Sequence, residues 1–361
     1  MSLKRVNVNF WRGKKVFLTG HTGFKGGWLA LWLTSMGAKV EGYSLAPKYP
    51  LNLFDTLKIS TLIEKSHIGD IRDISWLQNI IAEAKPDVIL HMAAQPLVQH
   101  SYVDPVETYS TNVMGTINVL ECARHIDSAR ATLVVTTDKC YENKRIAEWN
   151  YSENDAMGGY DPYSSSKGCA ELATAAYRQS FFSHPTSINM IATARAGNVI
   201  GGGDWSKNRL IPDALKSFEA GVPLIIRNPL ATRPWQHVLE CLSGYLILTQ
   251  ALFERGGPYA SSWNFGPNTS DNRSVQEVIE LLISSWSGPA RWEKEGFEHP
   301  HEEQYLSLDC SKARLKLGWT SKWNLETAID KIVQWHSAYQ AGKNMQEFSL
   351  TQIDHYMQVE E

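Results

Sequence analysis

Short apolar runs alternate with longer amphipathic stretches through the first half of the chain. The run Lys15-Val16-Phe17-Leu18-Thr19 is β-rich, and Trp28-Leu29-Ala30-Leu31-Trp32-Leu33 reads as a helix with a buried face. Residues 39–44 predict a second strand, 67–71 a third with Asp70 at its end, and 87–94 a fourth. A long helix is predicted over 102–126, a fifth strand over 132–138, a helix opening after Pro162, and a sixth strand over 187–196. Strands alternating with helices predict an α/β fold, a Rossmann-like doubly wound parallel sheet. From Gly201 the pattern loosens, and Gly, Pro and Trp punctuate short elements. A smaller mixed α/β C-terminal domain is expected there, over 201–361, with segments around 236–266 returning to the first. The tail, 344–361, reads as an amphipathic helix or a frayed end.

The first strand and helix are joined by Gly20-His21-Thr22-Gly23-Phe24-Lys25-Gly26. A strand, a glycine-rich turn and a helix form a dinucleotide-binding start. Gly20 permits the tight turn, Gly23 lets backbone approach a pyrophosphate, and Gly26 allows close helix–strand contact. Free N–H groups and the helix dipole favour phosphate at that end. Residues 1–200 are therefore expected to be the dinucleotide domain. Ser44 ends the second strand, where an acidic residue usually holds the adenosine ribose. No Arg follows it, although Lys48 is near. The preferred cofactor is NAD. Asp70 has the place to accept a hydrogen bond from the adenine amino group, or else to cap a helix. Ala93 and Ala94 leave room against the backbone at the end of the fourth strand.

In open parallel sheets, ligands bind at the carboxyl ends of the strands. Thr137, Asp138 and Lys139 have that address. Tyr163 and Lys167, four residues apart, share one helix face. An ammonium beside a phenol is expected to lower its pKa and make it a base near neutral pH.

Composition narrows the classes. Of 361 residues, 43% are hydrophobic and 20% charged, ordinary for a globular enzyme. The net charge of −3 offers nothing to attract nucleic acid. Five cysteines without a C-x-x-C pair argue against a disulfide framework and a metal site. Residues 1–11 lack the apolar core of a signal peptide, and no run approaches the roughly 18 apolar residues of a membrane span. The expectation is a cytoplasmic protein without membrane contact. The thirteen Trp suit either flat binding surfaces or buried packing.

Taken together, the motifs resemble the extended short-chain dehydrogenase/reductase superfamily. The matching residues are Thr19-Gly20-x-x-Gly23-Phe24-x-Gly26, Asp70, His91-Met92-Ala93-Ala94, Thr136-Thr137-Asp138, Tyr163-x-x-x-Lys167 and Arg195-x-x-Asn198. The likeness continues through Arg209-Leu210-Ile211-Pro212, Arg233-Pro234-Trp235-Gln236-His237-Val238 and Asn264-Phe265-Gly266 to Asp309-Cys310-Ser311-Lys312. It implies a nucleotide-diphosphate sugar as substrate. Thr22, Phe24, Ile71 and Asn112 then complete the cofactor set. Asn198, Arg209, Leu210, Arg233, Arg273 and Tyr305 become the substrate candidates, the arginines because a guanidinium fork suits phosphate. For Arg273 a solvated charge at a helix start is an even alternative. Trp205 is as readily packing as stacking, and His237 reads as structural.

Sugar 4,6-dehydratases typically carry Thr-Asp-Glu where this chain has Thr137-Asp138-Lys139. The substitution resembles the branch acting on CDP-D-glucose, in which Lys commonly occupies the Glu position. The resemblance implies that Tyr163, with Lys167 and Thr137, serves oxidation at the sugar C4, and that Asp138 protonates the departing C6 hydroxyl. Lys139 is then either the C5 base or an electrostatic stabiliser of the enolate. A carboxyl acting as acid must hold its proton near neutrality, and a lysine acting as base must lose one. An epimerase, a dehydratase for another nucleotide, and a non-catalytic dinucleotide-binding protein stay open. The family's dimer helices correspond to about 102–126 and 161–182, so a homodimer or homotetramer is expected. Deoxysugar supply for a cell-surface polysaccharide such as lipopolysaccharide O-antigen is the implied pathway.

Overall fold

In a computed structural model, residues 4–144, 146, 149–184, 187–296 and 305–359 are described. The chain runs α1 (Val8–Trp11), β1 (Lys15–Thr19), α2 (Phe24–Ser35), β2 (Lys39–Ser44), α3 (Leu53–Thr56), β3 (Lys65–Ile68), α4 (Ile74–Ala84) and β4 (Val88–His91). It continues through α5 (Val98–Val103), α6 (Pro105–Tyr109), a π-helical turn (Ser110–Met114), α7 (Gly115–Arg124), β5 (Ala131–Val135), a 3-10 turn (Asp138–Cys140), α8 (Pro162–Tyr177) and β6 (Met190–Ala196). Then follow β7 (Asn198–Ile200), α9 (Leu210–Glu219), β8 (Leu224–Ile226), β9 (Thr232–His237), α10 (Val238–Arg255), β10 (Ser262–Phe265) and β11 (Asn272–Ser274). The last elements are α11 (Val275–Ser285), β12 (Trp292–Lys294), α12 (Ser311–Leu317), α13 (Leu325–Gln340) and α14 (Met345–Gln358).

Seven strands form one sheet in the order β10-β6-β5-β4-β1-β2-β3, with every neighbouring pair parallel. The order reverses between β1 and β4, where Thr19 pairs with His91. Their carboxyl ends therefore splay and open a crevice. β4 and β5 are buried along their whole length, as parallel strands covered on both faces must be. Side chains alternate across the sheet. Val16 and Leu18 join Trp28, Trp32 and Leu242 on one face. Phe17 joins Leu77, Ile81 and Val119 on the other. A separate core of Ile211, Phe218, Trp235, Ile279, Leu282 and Ile329 holds the smaller body, which contains the β11-β9-β7 sheet and the β12-β8 pair.

Residues 201–361 divide between the two bodies. β10 adds to the main sheet beside β6, and α10 packs on β5, β6 and α2. The tail also returns, because α14 packs on α2 and Trp32 meets Tyr356 edge-on at 5.7 Å.

The long helix predicted over 102–126 is broken. Asp104 sits at φ −135°, caps α6 through the Glu107 N–H, and precedes Pro105 at the first helical position. A residue before proline is pushed out of the helical region, so α5 ends at Val103. The third strand stops at Ile68, and Asp70 lies in the loop beyond it. Gly69 is packed against Tyr43, whose hydroxyl would stand 2.5 Å from a Cβ there.

The return of α14 is fastened by Glu240, a fully buried carboxylate of α10. It accepts from the N–H groups of Trp323 at 2.7 Å and Lys322 at 3.0 Å, and from the Tyr356 hydroxyl at 2.8 Å. Burial pushes its pKa up to about 7, although these donors pull it down. Between the ordinary carboxyl range and pH 7 the folded chain thus binds a proton that the unfolded chain has released. Glu240 consequently erodes stability as pH rises through that window, by on the order of 3 kcal/mol in total. Whatever fixed cost Glu240→Gln carries, urea titrations from pH 5 to 8 are expected to show a shallower fall in the variant. Parallel stability–pH curves would contradict this.

Candidate functional site

At the end of β1 the chain turns through Gly20, at φ +83°. A Cβ on Gly20 would stand 2.8 Å from the Ala93 nitrogen, and one on Gly26 would stand 2.0 Å from the Gly20 carbonyl oxygen. Only glycine fits either place. Gly23 is the N-cap of α2 and provides no side-chain cap, so the first N–H groups of the helix are open to an anion. The Thr19 hydroxyl fixes the opposite lip. It accepts from the N–H groups of Met92 and Ala93, both at 3.1 Å, and donates to His91 Nδ1 at 2.7 Å. His91 Nε2 then donates to Thr116. Burial, with the Lys167 ammonium, pushes His91 down to about 3, so it is neutral. This cradle fits a dinucleotide pyrophosphate.

Thr22 Oγ1 meets Ser44 Oγ at 2.8 Å and donates to the Leu45 carbonyl at 2.9 Å, which places two hydroxyls where an acidic residue usually stands. Phe24 opens α2 and reaches the start of the second half, since a Cβ on Gly201 would stand 3.0 Å from its ring. Three further cofactor candidates are also bonded or packed within the chain. The Asp70 carboxylate is engaged by Arg72, through its N–H at 2.9 Å and its guanidinium at 2.6 Å, which holds its pKa below the usual range. Ile71 packs its side chain into the core against Gly115, and its carbonyl accepts from Asn118 at 2.9 Å. Asn112, in the π-helical turn, accepts from the Gln95 N–H at 2.8 Å and donates to the Gln95 carbonyl and to Ser166 Oγ. Its amide thus clamps the loop after β4 to α8.

Beyond β5, Thr137 donates to Asp138 Oδ1 at 2.9 Å. The Lys139 ammonium lies 3.6 Å from the same oxygen and 3.5 Å from Asn198 Oδ1. Asp138 is 1% exposed, and its Oδ2, near Gly197, is buried without a partner among the described residues. A buried carboxylate oxygen left unpaired is costly, so it marks a place where a ligand hydroxyl fits. Pro162 starts α8, capped by Asp161, and directs Tyr163 and Lys167 toward this turn.

The electrostatics differ from the sequence expectation. Burial pushes Tyr163 up to about 12, against a hydrogen bond to Thr137 and the charge of Arg209. Lys167 donates to the Val135 carbonyl at 3.5 Å, and burial and then Lys25 push it down to about 8. The i, i+4 spacing correctly brings both groups to one face, but desolvation outweighs the pull expected from Lys167.

Two further residues of the glycine turn are bonded within the fold. Lys25 extends to the Tyr245 hydroxyl at 3.4 Å, and burial pushes its ammonium down. A lysine at the second position of an otherwise apolar helix was the available signal. His21 lies on Gly42, whose Cβ would stand 2.4 Å from the ring, and bonds Ser66 at 2.7 Å. Burial pushes it down to about 4.

In the second half, Arg209 stands just before α9, next to Leu210, and its guanidinium pairs with Asp204 at 3.1 Å. Arg233 is buried on β9 and donates to the Thr232 carbonyl at 2.8 Å. Arg273 faces it across the antiparallel ladder and reaches Glu277 at 3.3 Å. Tyr305 bridges to Thr232. Trp205 packs edge-on against Trp335 and Tyr339, at 5.6 and 5.3 Å.

A glycine cradle at a sheet's switch point, with a Tyr-Lys pair and a Thr-Asp-Lys turn at the next strand end, defines a dinucleotide-dependent enzyme of the Rossmann type. The chain belongs to the GDP-mannose 4,6 dehydratase family, whose sequence profile matches residues 17–332. It is 52% identical over 357 residues to a CDP-glucose 4,6-dehydratase of Salmonella typhimurium, covering 98% of each chain. A dTDP-glucose 4,6-dehydratase of Haemophilus influenzae is 25% identical over 74% of this chain and 81% of its own. Among solved structures, the dTDP-glucose 4,6-dehydratase DesIV of Streptomyces venezuelae, with NAD bound, superposes with a TM-score of 0.77 at 20% identity. It matches 91% of this chain and 98% of its own.

Gly26→Ala is expected to weaken NAD binding by about tenfold or more, because overpacking costs roughly 1–3 kcal/mol. Titration calorimetry on the folded variant checks this, and unchanged affinity would contradict the cradle.

Proposed function

We propose that this protein converts CDP-D-glucose to CDP-4-dehydro-6-deoxy-D-glucose and water. The observation that carries the reading is the turn beyond β5. Oxidation at C4 alone needs only Tyr163 and its neighbours. A buried carboxylate with a free oxygen, beside an ammonium, is what elimination across C5–C6 adds. The 52% identity to the Salmonella enzyme supports the cytidine nucleotide and D-glucose.

The glycine turn, Thr22, Ser44 and the Ala93 backbone would hold NAD, which when bound takes hydride from C4 and returns it to C6. Tyr163 receives the C4 hydroxyl proton while Thr137 holds that oxygen. With its pKa pushed up to about 12 by burial, the phenol needs added positive charge to act as a base; Arg209 and the Thr137 hydroxyl already favour its phenolate, and the nicotinamide cation would add to them when bound. The resulting ketone acidifies the C5 proton. Lys139 removes that proton or steadies the enolate, and Asp138 protonates the departing C6 hydroxyl. Arg233 holds the diphosphate, with Arg273 across the ladder. Arg209, Leu210, Asn198 and Tyr305 border the sugar and base.

The assembly is a homodimer or homotetramer, supported by the exposed apolar side chains Val103, Val106, Met114 and Leu172 on α5–α8. No described helix is long and apolar enough to cross a membrane. The proposed location is the cytoplasm, and the proposed pathway is deoxysugar supply for a surface polysaccharide.

A screen of CDP-, dTDP-, UDP- and GDP-sugars is expected to give a 4-keto-6-deoxy product from CDP-D-glucose. A C4 epimer without loss of water would overturn the reading. In deuterated water, Lys139→Ala is expected to lose C5 exchange and turnover by roughly 100-fold or more. Normal exchange would exclude the base role.

A further inference from the structure

The stripe of α8 that carries Tyr163 and Lys167 continues one turn further to Glu171, which is 3% exposed. None of the steps above uses this carboxylate, yet both its oxygens are bonded. Thr136 donates to Oε1 at 2.5 Å. Thr193 at 2.7 Å, Arg195 at 2.8 Å and Ser262 at 3.3 Å donate to Oε2. Arg195 is 2% exposed, and its other terminal nitrogen donates to the Tyr141 hydroxyl at 2.7 Å. Tyr141 in turn donates to Asn264 Oδ1 at 2.6 Å.

The places of Thr136 and Tyr141 matter most. Thr136 immediately precedes Thr137 and Asp138. Tyr141 follows Lys139 and Cys140. Both ends of the turn bearing Asp138 and Lys139 are thus tied to a single ion pair, and one member of that pair sits on the helix bearing Tyr163 and Lys167. Backbone bonds hold the ends of the turn elsewhere, Thr136 N–H to the Ala194 carbonyl at 2.9 Å and Tyr141 in a bridge to Met157, but neither of these bonds reaches α8 as the Glu171–Arg195 pair does. The Arg195 guanidinium also covers the Tyr141 ring at 4.9 Å, which fixes the ring as well as its hydroxyl.

We propose that the Glu171–Arg195 pair is a positioning element that holds Asp138 and Lys139 in register with Tyr163 and Lys167, so that elimination can follow oxidation on the same bound sugar. The role rests on the dehydratase reading. Its residues touch neither substrate nor cofactor. They act through the turn.

The test uses the full-length, NAD-loaded enzyme with CDP-D-glucose in single turnover. The absorbance of reduced nicotinamide reports oxidation at C4, and solvent deuterium at C5 reports elimination chemistry. Tyr141→Phe removes one hydroxyl from one arm. It is expected to leave C4 oxidation and KM near wild type and to slow elimination by about 10- to 100-fold, the cost of a small misplacement of reacting groups. Reduced nicotinamide then accumulates, which wild type does not show. Thr136→Val cuts the other arm and is expected to give the same split. Equal losses in both steps, or no loss in either variant, would overturn the positioning role alone, provided wild type eliminates water. A wild type that oxidises C4 without eliminating would overturn the dehydratase reading as well.

Discussion

Everything in the site is placed relative to the contact between the Gly20 carbonyl and the backbone of Gly26. The space for a side chain there is absent, since a Cβ would stand 2.0 Å from that oxygen. This contact seats α2 directly on the end of β1 and leaves its uncapped N–H groups facing the crevice. The same turn brings Gly20 against Ala93 at the reversal of strand order. It also sends Lys25 under the α8 stripe, where its charge reaches Lys167. One steric constraint therefore sets the phosphate cradle, the opening of the sheet and part of the field around the phenol.

That field is a balance between burial and charge. Burial alone raises the phenol and lowers the ammoniums, so each group is driven toward its neutral form. The compensations are local. Thr137 and Arg209 favour the phenolate, Glu171 favours the Lys167 ammonium, and Arg195 holds the Glu171 carboxylate ionised. A site built this way has little slack, because each charge leans on another within the same desolvated volume. It also separates tasks by strand end. The cradle belongs to β1 and β4, the proposed redox pair to α8, and the proposed elimination pair to the turn after β5.

The strands, the glycine turn and the Tyr-Lys face were legible because their signals are local: period, punctuation and spacing. The break at Asp104-Pro105 was equally local, and the apolar periodicity running across it concealed it. Partner choice was not legible. Asp70 and Asn112 are the polar types that a cofactor site uses, and the fold also gives them partners within the chain, Arg72 in one case and Gln95 with Ser166 in the other. The chain alone does not say which neighbour folding will supply. The direction of the Tyr163 shift failed for a related reason, since spacing reveals the ammonium but not the depth of burial. Lys25 and Glu171 were visible as charged residues on buried faces, a signal that pattern reading treats as noise.

The central claim is that one active site moves hydrogen from C4 to C6 of a single sugar while water leaves. CDP-D-glucose deuterated at C4, turned over by the NAD-loaded enzyme and analysed by mass spectrometry and NMR, tests it directly. The expected product is the 4-keto-6-deoxy sugar with the deuterium in its C6 methyl group, transferred within the same molecule. Deuterium retained at C4, or lost to free cofactor or solvent, would contradict it.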